Sequence, residues 1–150
     1  MNVEFMAYSA QDMGDVLEMM TLFNSMENYS FDAKIGEQNL IEFTENESLG
    51  KLYMIKVSGH SIGYIILTFG FSFEYKGRDA FIDEFFIKEE FRNMGIGSKA
   101  MDFIVDESNQ FGINAIHLEV EPQNKTANRL YLSKGYKSND RTLLTKRIRL

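Results

Sequence analysis

Seven consecutive residues, Arg92-Asn93-Met94-Gly95-Ile96-Gly97-Ser98, have the types and spacing that trap a phosphate. They follow a strand-like run, Ala80 to Ile87, and open a helix-like run that ends near Phe111. Glycines at such a turn let the backbone bend and approach a ligand closely. The first N–H groups of the helix have no intrahelical partner, and the helix dipole favours negative charge there. Arg92 adds a permanent cation. The order R-x-x-G-x-G is neither a dinucleotide fingerprint nor a P-loop, which need G-x-G-x-x-G and G-x-x-x-x-G-K-[ST]. A pyrophosphate is the expected ligand.

Charge falls unevenly around that turn. The chain of 150 residues has a net charge of −6. Residues 1–91 hold 6 Lys/Arg against 16 Asp/Glu, and residues 92–150 hold 10 against 6, with the switch at Arg92. A basic half suits a polyanionic cofactor, and an acidic half suits a cationic substrate. The overall acidity argues against nucleic acid as the partner. There is no cysteine, which removes disulfides, thiolate metal sites and an acyl-cysteine intermediate. No apolar run reaches the length of a membrane span, and no signal peptide is visible, so the cytoplasm is the expected compartment. The two histidines, His60 and His117, make no metal-ligand set and read as structural.

The elements that must position the turn read as one α/β domain over residues 1–150. Strands are expected at Val3–Tyr8, Lys51–Val57, Ile62–Phe71, Ala80–Ile87, Ile113–Val120, Tyr136 and Leu143–Ile148. Helices are expected over Gln11–Met26, Lys34–Thr44, Gly97 to about Phe111, and Lys125–Lys134, with Gly112 and Gly135 as stops. That is a mixed central sheet of about seven strands flanked by about four helices.

With this order on the page, the chain resembles the GNAT superfamily of N-acetyltransferases. Arg92 to Gly97 matches the superfamily's pyrophosphate motif, [QR]-x-x-G-x-[GA]. Asn124-Lys125-Thr126-Ala127 followed by Tyr131 and Gly135-Tyr136 matches its second signature, N-x-x-A-x-x-x-Y-x-x-x-G-[FY]. Ile82-Asp83-Glu84-Phe85-Phe86-Ile87 is similar to the cofactor strand of small bacterial and polyamine-type members. The resemblance implies acetyl-coenzyme A (acetyl-CoA) as cofactor and direct acetyl transfer to an amine. Phe85, Phe86 and Ile87 would hold the pantetheine arm, with the Ile87 N–H facing the thioester oxygen. Arg92, Asn93, Met94, Gly95, Ile96, Gly97 and Ser98 would hold the pyrophosphate. Asn124, which also reads as a helix cap, and Asn128 would contact the cofactor arm.

Tyr131 is the candidate general acid, sharing a helix face with Asn124 and Ala127. A phenol titrating near about 10 is a reasonable donor to a thiolate whose thiol titrates near about 8.5. Asp83 and Glu84 are the candidate general bases. As neighbours on one strand they are expected to point to opposite faces, with Glu84 slightly favoured, Glu119 and Glu74 as rivals, and bulk water as a further route. The aromatic run Phe69 to Tyr75 is expected at the acceptor pocket, with Met19-Met20 and Met26 to Tyr29 as its other wall. The reading is transfer from acetyl-CoA to a small cationic primary amine. Acetylation of a protein N-terminus or lysine, and a non-catalytic acetyl-CoA sensor, are the alternatives. A homodimer is a possible assembly.

Overall fold

The structure, a computed structural model, describes residues 1–149. They form two compact units, Met1–Glu119 and the residues from Val120 on. In the first, strand β1 (Val3–Ala7) leads through a short 3-10 turn into α1 (Met13–Met26) and α2 (Ala33–Thr44). Strands β2 (Gly50–Val57), β3 (His60–Ser72) and β4 (Gly77–Ile87) follow, then α3 (Ile96–Gln110) and β5 (Ala115–His117). The second unit carries α4 (Lys125–Ser133).

Local chemistry explains the helix starts. Ser9 and Asp12 form a capping box ahead of α1. Asp32 caps α2, accepting from the Lys34 and Ile35 N–H groups at 2.9 and 3.2 Å. Asp12 also takes the Lys56 ammonium at 3.0 Å. Burial pushes the Asp12 carboxyl up, but the Ser9 N–H and Lys56 outweigh it and hold the carboxyl below its ordinary value.

The sheet runs β1-β2-β3-β4-β5, antiparallel until the parallel β4–β5 pair. One face packs on α1 and α2 through Val16, Met20, Leu40, Met54, Tyr64 and Phe86. The other face meets α3, where Phe103 stacks on Phe5 at 4.9 Å and the Tyr53 hydroxyl donates to Glu107 at 2.9 Å.

Five strands stand among the described residues, not the seven expected. The run Ile113–Val120 pairs only over Ala115–His117. Tyr136 and Leu143–Ile148 form no strand. Their residues suit a strand, but a strand exists only with a ladder partner, and propensity does not supply one.

A β-bulge in β4 sets the geometry of everything that follows. Ile66 pairs with Glu84 while the next residue, Leu67, pairs with Ile82, so Asp83 is an extra residue without a partner. Before the bulge the even residues Ala80 and Ile82 lie opposite Phe69 and Leu67, on the α3 face. After it the even residues Glu84 and Phe86 lie opposite Ile66 and Tyr64, on the α1/α2 face. The period-two pattern is inverted across one residue.

Candidate functional site

Strands β4 and β5 fork. Their parallel ladder ends at Phe81 and His117, and β4 runs on to Ile87 with no strand among the described residues on that side. The Lys88 N–H turns inward to the Ile62 carbonyl at 2.8 Å. Because backbone groups alternate along an extended chain, the N–H groups of Ile87 and Phe85 point outward to the open edge. Phe86 does not share this role. Its carbonyl faces Gly63 on β3, and its side chain is 4% exposed in the core. It contributes packing, because alternate residues of a strand serve opposite edges.

The open edge leads into the glycine turn Arg92–Ser98. Asn93 and Gly95 both take positive φ, 61° and 81°. Gly95 occupies the N-cap of α3, and having no side chain it caps nothing. The N–H groups of Ile96, Gly97 and Ser98 therefore begin the helix uncapped, and the first helical bond here is from Lys99 N–H to the Gly95 carbonyl at 3.2 Å. Ile96 is buried and anchors the helix start. A Cβ at Gly95 would meet nothing within 4 Å, so the space over the turn is open. Arg92 is spent partly on the protein: its Nε donates to the Ile87 carbonyl at 2.8 Å, and its guanidinium lies 5.7 Å from the Phe86 ring centre. It braces the end of β4 against the turn.

Asp83 and Glu84 share a face, contrary to the expectation from strand alternation. The bulge turns Glu84 to the α1/α2 side, where the Tyr64 hydroxyl donates to it at 2.7 Å. Asp83 continues the parity of Asp79 and Phe81 on that same side, and its charge raises the pKa of both Glu84 and Tyr64. Burial is the main cause that pushes the Glu84 carboxyl up, with the Tyr64 hydrogen bond opposing it. Asp83 keeps its contact with solvent, yet the surrounding protein raises its carboxyl too.

The aromatic run is divided between the faces. Phe69 packs on Phe111 at 5.3 Å, on the α3 side and away from Glu84. It cannot line a pocket on the α1/α2 face, because β3 passes between them. An open groove of about 790 Å³ lies around Lys51, Phe69, Arg78 and Phe111 on that α3 side. Its ionisable lining residues are Glu47, Lys51 and Arg78, and neither Asp83 nor Glu84 lines it. Tyr75, by contrast, packs on His117 at 5.0 Å.

His117, read from the sequence as structural, meets an acidic partner across the β4–β5 pair. Its Nε2 lies 3.0 Å from Asp79 Oδ2, and its ring lies 5.0 Å from Phe81. Gly70, opposite Asp79, leaves the room: a Cβ there would come within 2.8 Å of Asp79 Oδ1. The available signal was an acidic residue on the strand before the glycine turn and a histidine on the strand after it, but only the register shows that they meet.

In the second unit Asn124 caps α4, accepting from the Ala127 N–H at 3.2 Å. Asn128 donates to the Glu121 and Asn124 carbonyls at 3.0 and 2.8 Å and ties the preceding turn to the helix. Tyr131 faces Tyr136, with ring centres 6.2 Å apart. Burial raises the Tyr131 hydroxyl above its ordinary value. Burial, then Tyr131, push Tyr136 up to about 12. No helix of the described residues is long and apolar enough to cross a membrane.

Comparison with known proteins gives a consistent family. The profile of the Acetyltransferase (GNAT) family matches residues 16–136. Thialysine N-epsilon-acetyltransferase of Mus musculus is 27% identical over 128 residues, covering 80% of this chain and 75% of that protein. An integron cassette protein from the mobile metagenome of Cole Harbour Salt Marsh has the same fold, with a TM-score of 0.88 at 23% identity over 97% of this chain and 91% of that one. A predicted acetyltransferase of Clostridium acetobutylicum, solved with acetyl-CoA, superposes with a TM-score of 0.81 at 16% identity over 97% and 96% of the two chains.

Proposed function

This chain belongs to the acetyltransferase (GNAT) family, and we propose that it transfers the acetyl group of acetyl-CoA directly to a small cationic primary amine, as one domain spanning residues 1–150. The observation that carries the reading is the fork: an open strand edge running from Ile82 to Ile87 and ending at an uncapped helix start. An extended pantetheine arm adds to such an edge like a strand. The outward N–H groups of Phe85 and Ile87 pair with it, and the Ile87 N–H meets the thioester oxygen, a contact worth about 3 kcal/mol when charge develops there. The pyrophosphate then falls at Met94 to Ser98, where free N–H groups and the α3 dipole meet it. Arg92 holds the Ile87 carbonyl and so fixes the strand end relative to the turn. Asn124, Asn128 and Tyr131 take the rest of the arm and the sulfur on the strength of the family motif.

Asp83 and Glu84 make the acceptor end acidic. Asp83, bulged and solvent-facing, meets the ammonium; Glu84, tied to Tyr64, contributes charge from behind. A cationic amine also fits the mouse relative, whose name specifies thialysine. Tyr131 gives its proton to the departing thiolate.

The test is coenzyme A release from acetyl-CoA over a panel of amines containing thialysine, lysine, polyamines, neutral amines and a peptide N-terminus. Turnover confined to small cationic amines is the expected result. Preference for the peptide moves the assignment to protein acetylation, and binding of acetyl-CoA without any release leaves a sensor.

A further inference from the structure

We propose that Tyr136 is a positioning residue for Tyr131: its hydroxyl donates a hydrogen bond to the Tyr131 oxygen as that phenol gives its proton to the departing thiolate. The inference rests on the acetyl-transfer reading above, in which Tyr131 is the acid. Both residues belong to the second compact unit.

The end of α4 brings the two rings together. Gly135 takes φ 92°, the left-handed conformation that closes a helix. Its N–H donates to the Leu132 carbonyl at 3.1 Å, and the Tyr136 N–H donates to the Tyr131 carbonyl, also at 3.1 Å. This pair of bonds folds the second residue past the cap back onto the last helical turn, where an apolar contact commonly forms. The Tyr131–Tyr136 ring pair is that contact, edge to face with 62° between the planes.

The ring completes the cap, but the hydroxyl has no part in it. Phenylalanine would make the same contact, and the family motif takes either residue there. Yet the Tyr136 hydroxyl is buried and has no hydrogen-bond partner among the described residues. A buried hydroxyl without a partner weakens a fold, so it calls for a partner that the resting protein lacks. The Tyr131 phenolate is that partner. Burial raises the Tyr131 hydroxyl, which makes its anion costly unless a donor meets the charge as it forms. Burial, then the Tyr131 phenol, push the Tyr136 hydroxyl up to about 12, so it stays protonated and remains a donor. Because the two hydroxyls are not bonded at rest, the new bond favours the transition state over the ground state.

The step balances without a co-reactant. The neutral amine attacks the thioester carbon and forms the C–N bond. The C–S bond breaks, its electron pair goes to sulfur, and sulfur takes the Tyr131 proton. The phenolate accepts the Tyr136 O–H bond without removing that proton. The proton that the new amide nitrogen releases then restores Tyr131 through solvent.

The experiment measures single-turnover acetyl transfer by the full chain with acetyl-CoA and thialysine, or the panel amine turned over fastest, so that product release cannot mask the chemistry. Acetyl-CoA affinity and melting temperature are followed alongside. Tyr136→Phe is expected to slow transfer about 10-fold, the scale of one hydrogen bond to a charged group. Affinity should not change, and the melting temperature should hold or rise, since the hydroxyl removed had no partner. In a Tyr131→Phe background the second substitution should cost nothing further, because the two hydroxyls act as a unit. An undiminished rate in Tyr136→Phe overturns the proposal while acetyl transfer stands. The same 10-fold loss in both backgrounds, or a loss matched by a lower melting temperature, overturns it too, since Tyr136 then acts apart from Tyr131. An undiminished rate in Tyr131→Phe alone, or transfer by wild type to no amine of the panel, overturns the reading on which this one rests.

Discussion

The Tyr64 hydroxyl donates to Glu84 Oε1 at 2.7 Å across the β3–β4 pair, from a tyrosine with no exposed surface. The bond exists because the Asp83 bulge moves Glu84 onto the same face as Tyr64. Burial first, and then Glu84 and Asp83, push the phenol far above its ordinary range. Glu84 is raised as well, so its native pKa lies above its unfolded one. Its contribution to stability is therefore fully present below the ordinary carboxylate range and is lost as pH rises through the raised value. Wild type should melt higher as pH falls from neutrality toward that range, and Glu84→Gln should flatten this slope. Tyr64→Phe leaves the buried carboxyl without its donor and should cost about 1–3 kcal/mol. Melting curves over a pH series check all three; a parallel slope in Glu84→Gln would remove Glu84 as its source.

The bulge itself is testable. Deleting Asp83 would place Glu84 directly after Ile82, opposite Ile66 and Leu67, so a regular ladder keeps Glu84 and Phe86 on the α1/α2 face and removes only the bulge and its carboxylate. The deletion should still unfold cooperatively and keep the Tyr64–Glu84 contact, and a loss of cooperativity would show that the bulge itself is required. Asp83→Asn keeps the bulge and removes only a solvent-facing charge. Its expected effect is a rise of about 10-fold in KM for cationic amines, which added salt abolishes, with little change for acetyl-CoA. An equal loss on neutral amines would show that Asp83 acts on the backbone instead.

Gly95 separates backbone strain from ligand obstruction. Its φ of 81° costs a side-chain-bearing residue roughly 1–2 kcal/mol. Because no protein atom stands near its missing Cβ, that cost is conformational alone. Gly95→Ala and Gly95→Val should thus lose similar stability, and valine should lose far more acetyl-CoA binding by filling the space over the turn. Acetyl-CoA should raise the melting temperature of wild type in proportion to ligand excess over Kd. Retained stabilisation in Gly95→Val would place the pyrophosphate elsewhere.

Tyr131→Phe removes one hydroxyl and little volume. Since burial raises that hydroxyl, it stays protonated at neutral pH and can serve as a donor. Turnover should fall about 10²-fold with acetyl-CoA affinity unchanged. A burst of acetylated product followed by slow release, unaltered by the substitution, would show that chemistry is not the limiting step.

Much of this protein was legible from its residues in order. The glycine turn at Arg92–Ser98, the strand before it, the helix after it and the Asn124 cap are local features, written by glycine, capping chemistry and periodicity within a few neighbours. The family resemblance rests on the same short motifs. What sequence could not supply was pairing. Whether Ile113–Val120 and Leu143–Ile148 make strands depends on a partner edge, and only Ala115–His117 has one. Alternation alone sends Asp83 and Glu84 to opposite faces; one unpaired residue, visible only in the β3–β4 register, sends them to the same face. Phe69 looked like an acceptor wall and lies on the far side of the sheet, while His117 looked structural and meets Asp79. Chemistry type was carried by the sequence because it depends on side-chain identity. Which groups face one another was decided by the tertiary structure, because register is a property of two strands and not of either one.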